Sequence, residues 1–164
     1  AADLLAQAEH GSGHERCWLV STSSKVLKTV EREIERQLPE RLRRKYIQKA
    51  LKRNGWLIHV RSQAQAIELA NRLAPEHCEV MLKNPKAASK QITTAGALFL
   101  GNHTLPTGGA GASFAGLTVD QFQRRTSVVQ YTPAALRKSL AAVQQLAAVE
   151  GLDAHGHSAA IRLD

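Results

Sequence analysis

Five short apolar runs, separated by longer stretches of helical periodicity, constrain this chain more than any other feature. They are Cys17-Trp18-Leu19-Val20-Ser21, Trp56-Leu57-Ile58-His59-Val60, a run that begins just past Pro75 and carries Glu79-Val80-Met81-Leu82, then Ala97-Leu98-Phe99-Leu100, and Ser127-Val128-Val129-Gln130-Tyr131. Runs of this length suit strands and are too short for helices. Strands that alternate with helices are joined by crossover connections, which makes the sheet mostly parallel and puts helices on its faces: an α/β fold. Ligands of such folds are expected beyond the carboxyl ends of the strands or at a switch point.

The spacers read as helices. Leu4, Leu5 and Ala8 give one apolar face over 3–10, closed by Gly11-Ser12-Gly13. Ser23 or Ser24 caps a long charged helix carrying Val26, Leu27, Val30, Ile34 and Leu38. Pro39 interrupts it, and it resumes through Leu42, Tyr46, Ile47 and Leu51 until Asn54-Gly55 stops it. Further helices are expected over 63–73, with Ala66, Ile67, Ala70 and Leu73 inward, over 85–92 behind a first-turn proline, over 119–125 and over 133–150. From Gly101 to Gly116 small residues dominate and a loop is expected; the tail beyond Gly151 carries His155 and His157.

At 164 residues with 43% apolar content, the chain is long enough to bury a core as one domain, or one domain with a small appendage. No run approaches the roughly 18 apolar residues of a membrane span, and a basic-then-apolar leader is absent. A soluble protein of the cytoplasm, or of an organellar stroma in a plant-type host, is expected. Cys17 and Cys78 belong to no CxxC pair and read as small buried hydrophobes. The chain opens on Ala1-Ala2-Asp3 and its only methionine is Met81, which implies a processed product or a piece of something longer. The net charge of +8 is local, since seven basic residues and no acid lie between Arg41 and Arg53. With only Tyr46 and Trp56 nearby for stacking, this stretch reads as a solvated face rather than a nucleic-acid footprint.

Several residues can carry chemistry. Glu76 and His77 follow Pro75 at a loop-to-strand junction, where both can project into one cleft, and a carboxylate beside an imidazole is a natural pair for moving protons near neutral pH. On a regular strand, however, such neighbours point to opposite faces as ordinary surface residues. Gln7 and His10 have the i, i+3 spacing of helix-borne metal ligands, against the plainer reading of a polar helix edge. His103 ends the fourth strand, where function concentrates in such sheets, or simply hydrogen-bonds to backbone. The stretch Leu105-Pro106-Thr107-Gly108-Gly109-Ala110-Gly111 lacks the ending of a P-loop and reads as a tight loop. His155 and His157, two apart, can chelate a metal on an extended segment or lie in a solvated tail.

The blocks DLLAQAEHG, ELANRLAPEHCEV, GALFLG, NHTLPTGG, GLTVDQFQRRTSVVQYT and AAVEGLDAHGHSAAIRL, in this order, resemble the carboxyl-terminal portion of histidinol dehydrogenase from end to end of the chain. The resemblance implies a partial Rossmann-like α/β domain over 1–117 and a helical carboxyl-terminal tail over 118–164 that exchanges across a homodimer. It implies a zinc-dependent oxidation of L-histidinol to L-histidine through an aldehyde, with NAD taking the hydride at each step. By the same matching Gln7, His10 and His155 are zinc ligands, Glu76 and His77 the acid/base pair, and His103 and Glu150 substrate-binding residues. Residues of the NAD site are not among the matched blocks.

Two departures from the family pattern bear on activity. Family members have a longer segment before the NH-LPT block, with a Gly-Asp-Tyr whose aspartate ligates zinc; here only Asn102 separates Gly101 from His103. The family's amino-terminal half, which supplies much of the NAD site, is also not in this chain. An incomplete catalytic unit is therefore expected, one that pairs with a missing amino-terminal portion or with a second copy. The alternatives are an inactive truncated paralogue acting as an interaction protein, and a dehydrogenase of another alcohol.

Overall fold

A computed structural model describes residues 1–103 and 126–163. In chain order the elements are α1 (Ala2–Ala8), β1 (Cys17–Ser21), α2 (Ser24–Gln37), a single 3-10 turn (Leu38–Glu40), α3 (Arg44–Asn54), β2 (Gly55–His59), α4 (Gln63–Leu73), β3 (His77–Val80), α5 (Pro85–Ser89), β4 (Ala97–Leu100), β5 (Ser127–Val129), α6 (Pro133–Glu150) and α7 (Asp153–Ala160). Every strand pairing is parallel, as the helical spacers require, but the strands form two sheets rather than one. One has the order β1-β2, with Cys17 opposite Gly55; the other has the order β3-β4-β5, with His77 opposite Ala97 and Ala97 opposite Ser127. The α/β class thus stands, with helices on a mostly parallel framework. Among the described residues no helix is long and apolar enough to cross a membrane.

The chain divides into two compact units, one made of Ala1–Ala66 with the chain from Thr132 onward, the other of Ile67–Tyr131. In the first, Leu5, Ala6 and Ala8 of α1 pack with Cys17, Ile47, Ala50 and Ala154, and Leu4, Ile34, Leu38 and Leu51 close around them. In the second, Ile67, Val80, Ala88, Ile92, Ala95, Leu98 and Leu100 form the core. The domain boundary expected after residue 117, the glycine-rich loop beyond residue 103 and the helix over 119–125 lie outside the described residues.

Local signals account for most element ends. The Ser23 hydroxyl accepts from Val26 N and Thr132 from Ala135 N, each capping a helix start. Pro39 breaks the charged helix into α2 and α3 through the 3-10 turn. Two expectations need correction. Leu42 falls before α3 and is 78% exposed, and Tyr46 on it is 56% exposed, so α3 buries only Ile47 and Ala50. As expected, α3 stops at Asn54-Gly55; Gly55 is extended there and starts β2 at once, and a Cβ would meet the Leu51 carbonyl oxygen at 2.5 Å. Met81 and Leu82 fall beyond β3 and are exposed, because pairing with β4 begins at His77.

The step from α4 to β3 is strained. Ala74 has φ +44, and its N–H reaches back to the Ala70 carbonyl, so an alanine holds the left-handed position after the helix that glycine usually takes. Such a conformation costs an L-residue about 1–2 kcal/mol. Ala74→Gly is expected to raise stability by about 0.5–1 kcal/mol after the added unfolded-state entropy of glycine is deducted. Urea unfolding of the two proteins checks this, an unchanged or lower midpoint being the contrary result.

Candidate functional site

The first unit gathers part of the expected metal shell. Gln7 lies on α1, half-buried, and the helix ends at Ala8, two residues earlier than the periodicity implies, so His10 sits exposed in the turn beyond. His155 comes from the opposite end of the chain, on α7, and its ring stands edge to face against His10 with centroids 4.9 Å apart. The tail segment is helical, as the resemblance implies, and not the extended segment on which His155 and His157 could chelate together. At about 100° per residue, side chains two apart on a helix diverge, so these two do not share one ligand. Glu150 ends α6 and is exposed.

Glu9, between the two candidate ligands of α1, is the residue that sequence reasoning passes over. It is 0% exposed; its carboxyl accepts from Ala154 N at 3.1 Å and His155 N at 2.9 Å, and lies 2.6 Å from His155 Nδ1. A buried carboxylate is tolerated where it is hydrogen-bonded in this way. Its position, four residues after Leu5 on the apolar face, was the available signal, since an acid at a core-facing position needs a buried partner. Arg43, in the basic stretch, donates through Nη1 to the Glu9 carbonyl at 3.2 Å and to the His10 carbonyl at 3.5 Å. Arg41 is buried and pairs with Asp153 Oδ2 at 3.2 Å, while Leu42 N donates to Asp153 Oδ1 at 3.2 Å. Two cations of the supposed solvated face therefore hold α1 and α7 in place.

Among the described residues no cluster of three or more His, Cys, Asp or Glu side chains is arranged to hold a metal. The two imidazoles that do meet are of the donor type zinc takes. Two imidazoles bound to one tetrahedral ion at about 2 Å from each nitrogen have centroids roughly 5 Å apart. His10 and His155 are at that spacing, and His155 Nδ1 is tied to a carboxylate, as metal-bound imidazoles commonly are. Gln7 lies on α1, three residues before His10.

The acid/base candidates belong to the second unit. Glu76 Oε1 lies 4.0 Å from His77 Nε2, within ion-pair range and beyond a hydrogen bond. The Glu76 side chain is 88% exposed and that of His77 22%, the latter ring lying edge-on to Phe99 with centroids 5.7 Å apart. The junction is held by backbone: Gly96 N donates to the Pro75 carbonyl and Ala97 N to the Glu76 carbonyl. Gly96 is also needed for space, because a Cβ there would sit 2.8 Å from the Glu76 carbonyl oxygen. Glu76 and His77 thus lie at the amino end of the three-stranded sheet. His103 follows β4 and lies past its carboxyl end, with Nδ1 buried and without a hydrogen-bond partner among the described residues. The sheet separates His103 from the acid/base pair instead of joining them.

A family model described as histidinol dehydrogenase matches residues 1–163. Proteins named histidinol dehydrogenase from Heliobacterium mobile and Thermosynechococcus vestitus are 40% and 41% identical to the chain. The alignments cover 100% and 99% of it, against 42% and 41% of those proteins. The chain therefore spans about two fifths of the length of the curated relatives it matches. The first alignment runs to 178 positions over a chain of 164, so that relative carries positions with no counterpart here. The crystal structure of histidinol dehydrogenase from Elizabethkingia anophelis superposes with a TM-score of 0.61 at 28% identity, covering 99% of this chain and 40% of that one.

Two outcomes follow from these contacts. Gly96→Ala is expected to destabilise by about 1–3 kcal/mol, because the added carbon can be relieved only by moving the backbone of Glu76; denaturant unfolding measures the loss. His157 is held below its usual 6.5, by burial first and by the positive charge of Arg41 second. The unfolded chain then binds that proton more readily, so the contribution of His157 is fully present above about pH 6.5 and is lost as pH falls through the depressed folded value. Unfolding midpoints of the wild type and of His157→Gln, compared from about pH 8 down to pH 5, should converge toward the acid end. A constant difference across that range would contradict the assignment.

Proposed function

This chain belongs to the histidinol dehydrogenase family, and on that footing we propose that it carries the carboxyl-terminal share of a zinc- and NAD-dependent oxidation of L-histidinol to L-histidine. The observation that supports the reading most directly is the meeting of His10 and His155, which are 145 residues apart in the chain, with ring centroids at 4.9 Å. Gln7, His10 and His155 would hold the zinc, which when bound supplies a Lewis-acidic template for the amino alcohol.

The protein's own groups account for the proton traffic. His77 takes the proton of the alcohol hydroxyl as the hydride departs to NAD, leaving an aldehyde. Glu76, largely in solvent beside it, would take the proton of a water that attacks that aldehyde. His77 would again take the hydroxyl proton as the hydrate is oxidised to the acid, and NAD, when bound, would supply the hydride acceptor for both oxidations. His103 and Glu150 bind substrate in this reading. The cycle then draws on a second copy of the chain, or on the amino-terminal portion present in the relatives, for the NAD site. A second reading, a protein that pairs with another chain without turning over substrate, draws support from His103 lying at the opposite end of its sheet from Glu76 and His77.

Incubation with histidinol, NAD and zinc separates the two. The 164 residues alone are expected to form no NADH, and NADH is expected once the amino-terminal portion of a family member is supplied. NADH from the chain alone would overturn the need for a partner portion. No NADH from the reconstituted mixture, with association demonstrated, would favour the second reading.

A further inference from the structure

We infer that Glu9 is a positioning residue, one side chain that caps the helix carrying His155 and at the same time sets the direction of the His155 ring. Helix α7 begins at Asp153 after Leu152, which offers it no side-chain cap. Of its second and third N–H groups, that of His155 reaches the Leu152 carbonyl at 3.1 Å, while that of Ala154, fully buried, needs an acceptor from outside the helix. Glu9 Oε2 accepts from Ala154 N and Oε1 from His155 N. The carboxylate is also on the favourable side of the helix dipole. This cap comes from the far end of the chain and is fully buried, so it holds α7 against α1 only when the two are docked.

The same Oε1 faces His155 Nδ1 at 2.6 Å. Two backbone N–H groups donate to this carboxyl, and an ionised carboxyl has only acceptor capacity left for the ring, which puts the hydrogen on Nδ1. Nε2 is then the side with the lone pair, and the ring plane is fixed by a bond to the residue that fixes its own backbone. Arg43 holds the carbonyls of Glu9 and His10, so the turn bearing the opposing imidazole is referenced to the same residue. Docking of the tail and aim of the His155 donor are thereby one event: Glu9 cannot release the ring without also releasing the helix start.

This role rests on the zinc reading only where it concerns affinity; ring tautomer and tail docking are properties of the metal-free chain. The test compares the full wild-type chain with Glu9→Gln. Long-range proton–nitrogen correlation in the absence of metal should show His155 with hydrogen on Nδ1 in the wild type and a mixture of tautomers in Glu9→Gln. Zinc affinity, read by competition with a chromophoric chelator, should fall about 10- to 100-fold in the variant. An Nε2–H His155 in the wild type would overturn the inference, whether or not the variant folds, and so would an unchanged zinc affinity in a folded variant. A wild-type chain that shows the Nδ1–H ring yet binds no zinc would leave Glu9 in its positioning role and defeat the metal assignment instead.

Discussion

The Glu9 carboxyl at the start of α7 is the contact on which the first unit depends. A fully buried acid is costly to leave without partners, and here two backbone N–H groups and one imidazole surround it. Removing Glu9 takes the acceptor from the buried Ala154 N–H, while the His155 N–H keeps the Leu152 carbonyl at 3.1 Å. Other contacts tie the same helices: Ser158 donates to Asp3, Arg162 pairs with Asp3, and Arg41 with Leu42 N holds Asp153. The two ends of the chain are thus joined through polar groups of high directional demand, set beside an apolar contact of Leu5, Ala8 and Ala154. Burial brings the helices together, and the hydrogen bonds select one register between them.

That geometry bears on the proposed sharing of a metal site between two copies of the chain. The resemblance implies a tail that exchanges between subunits, whereas in this one chain α7 lies on its own α1 through the same kind of complementary contacts that an exchanged tail would use. Exchange of an identical element requires only that the contacts be the same in both settings. The Glu9 cap has that property, because it recognises the start of α7 and nothing of the connection leading to it.

The second unit shows the other side of the balance. Its parallel sheet holds Glu76 and His77 by backbone pairing at one end and sends His103 beyond the other, so chemistry-bearing residues close in the family's order need not be close in space. Parallel strands are ordinarily covered on both faces. In β1 only Cys17 is fully buried, and in β2 no residue is, with Trp56 60% exposed. A sheet of two such strands covered this thinly accords with a chain that spans about two fifths of its relatives.

The residues alone determined the periodicities, and with them the α/β class, the parallel direction of the strands, nearly every element and the family, since each rests on short-range pattern or on the order of motifs. Gln7, His10, Glu76, His77 and His155 were legible as candidates for the same reason. Tertiary structure decided what depends on partners distant in sequence. It made two sheets where one was expected, and within the expected helical tail it fixed a helix register that parts His155 from His157. It turned Arg41 and Arg43 from a solvated face into anchors, and it gave Glu9 its place. No local pattern reveals that an acid on an apolar helix face will cap a helix 145 residues away; desolvation makes such a residue intolerable until its partners arrive, and only the folded chain brings them.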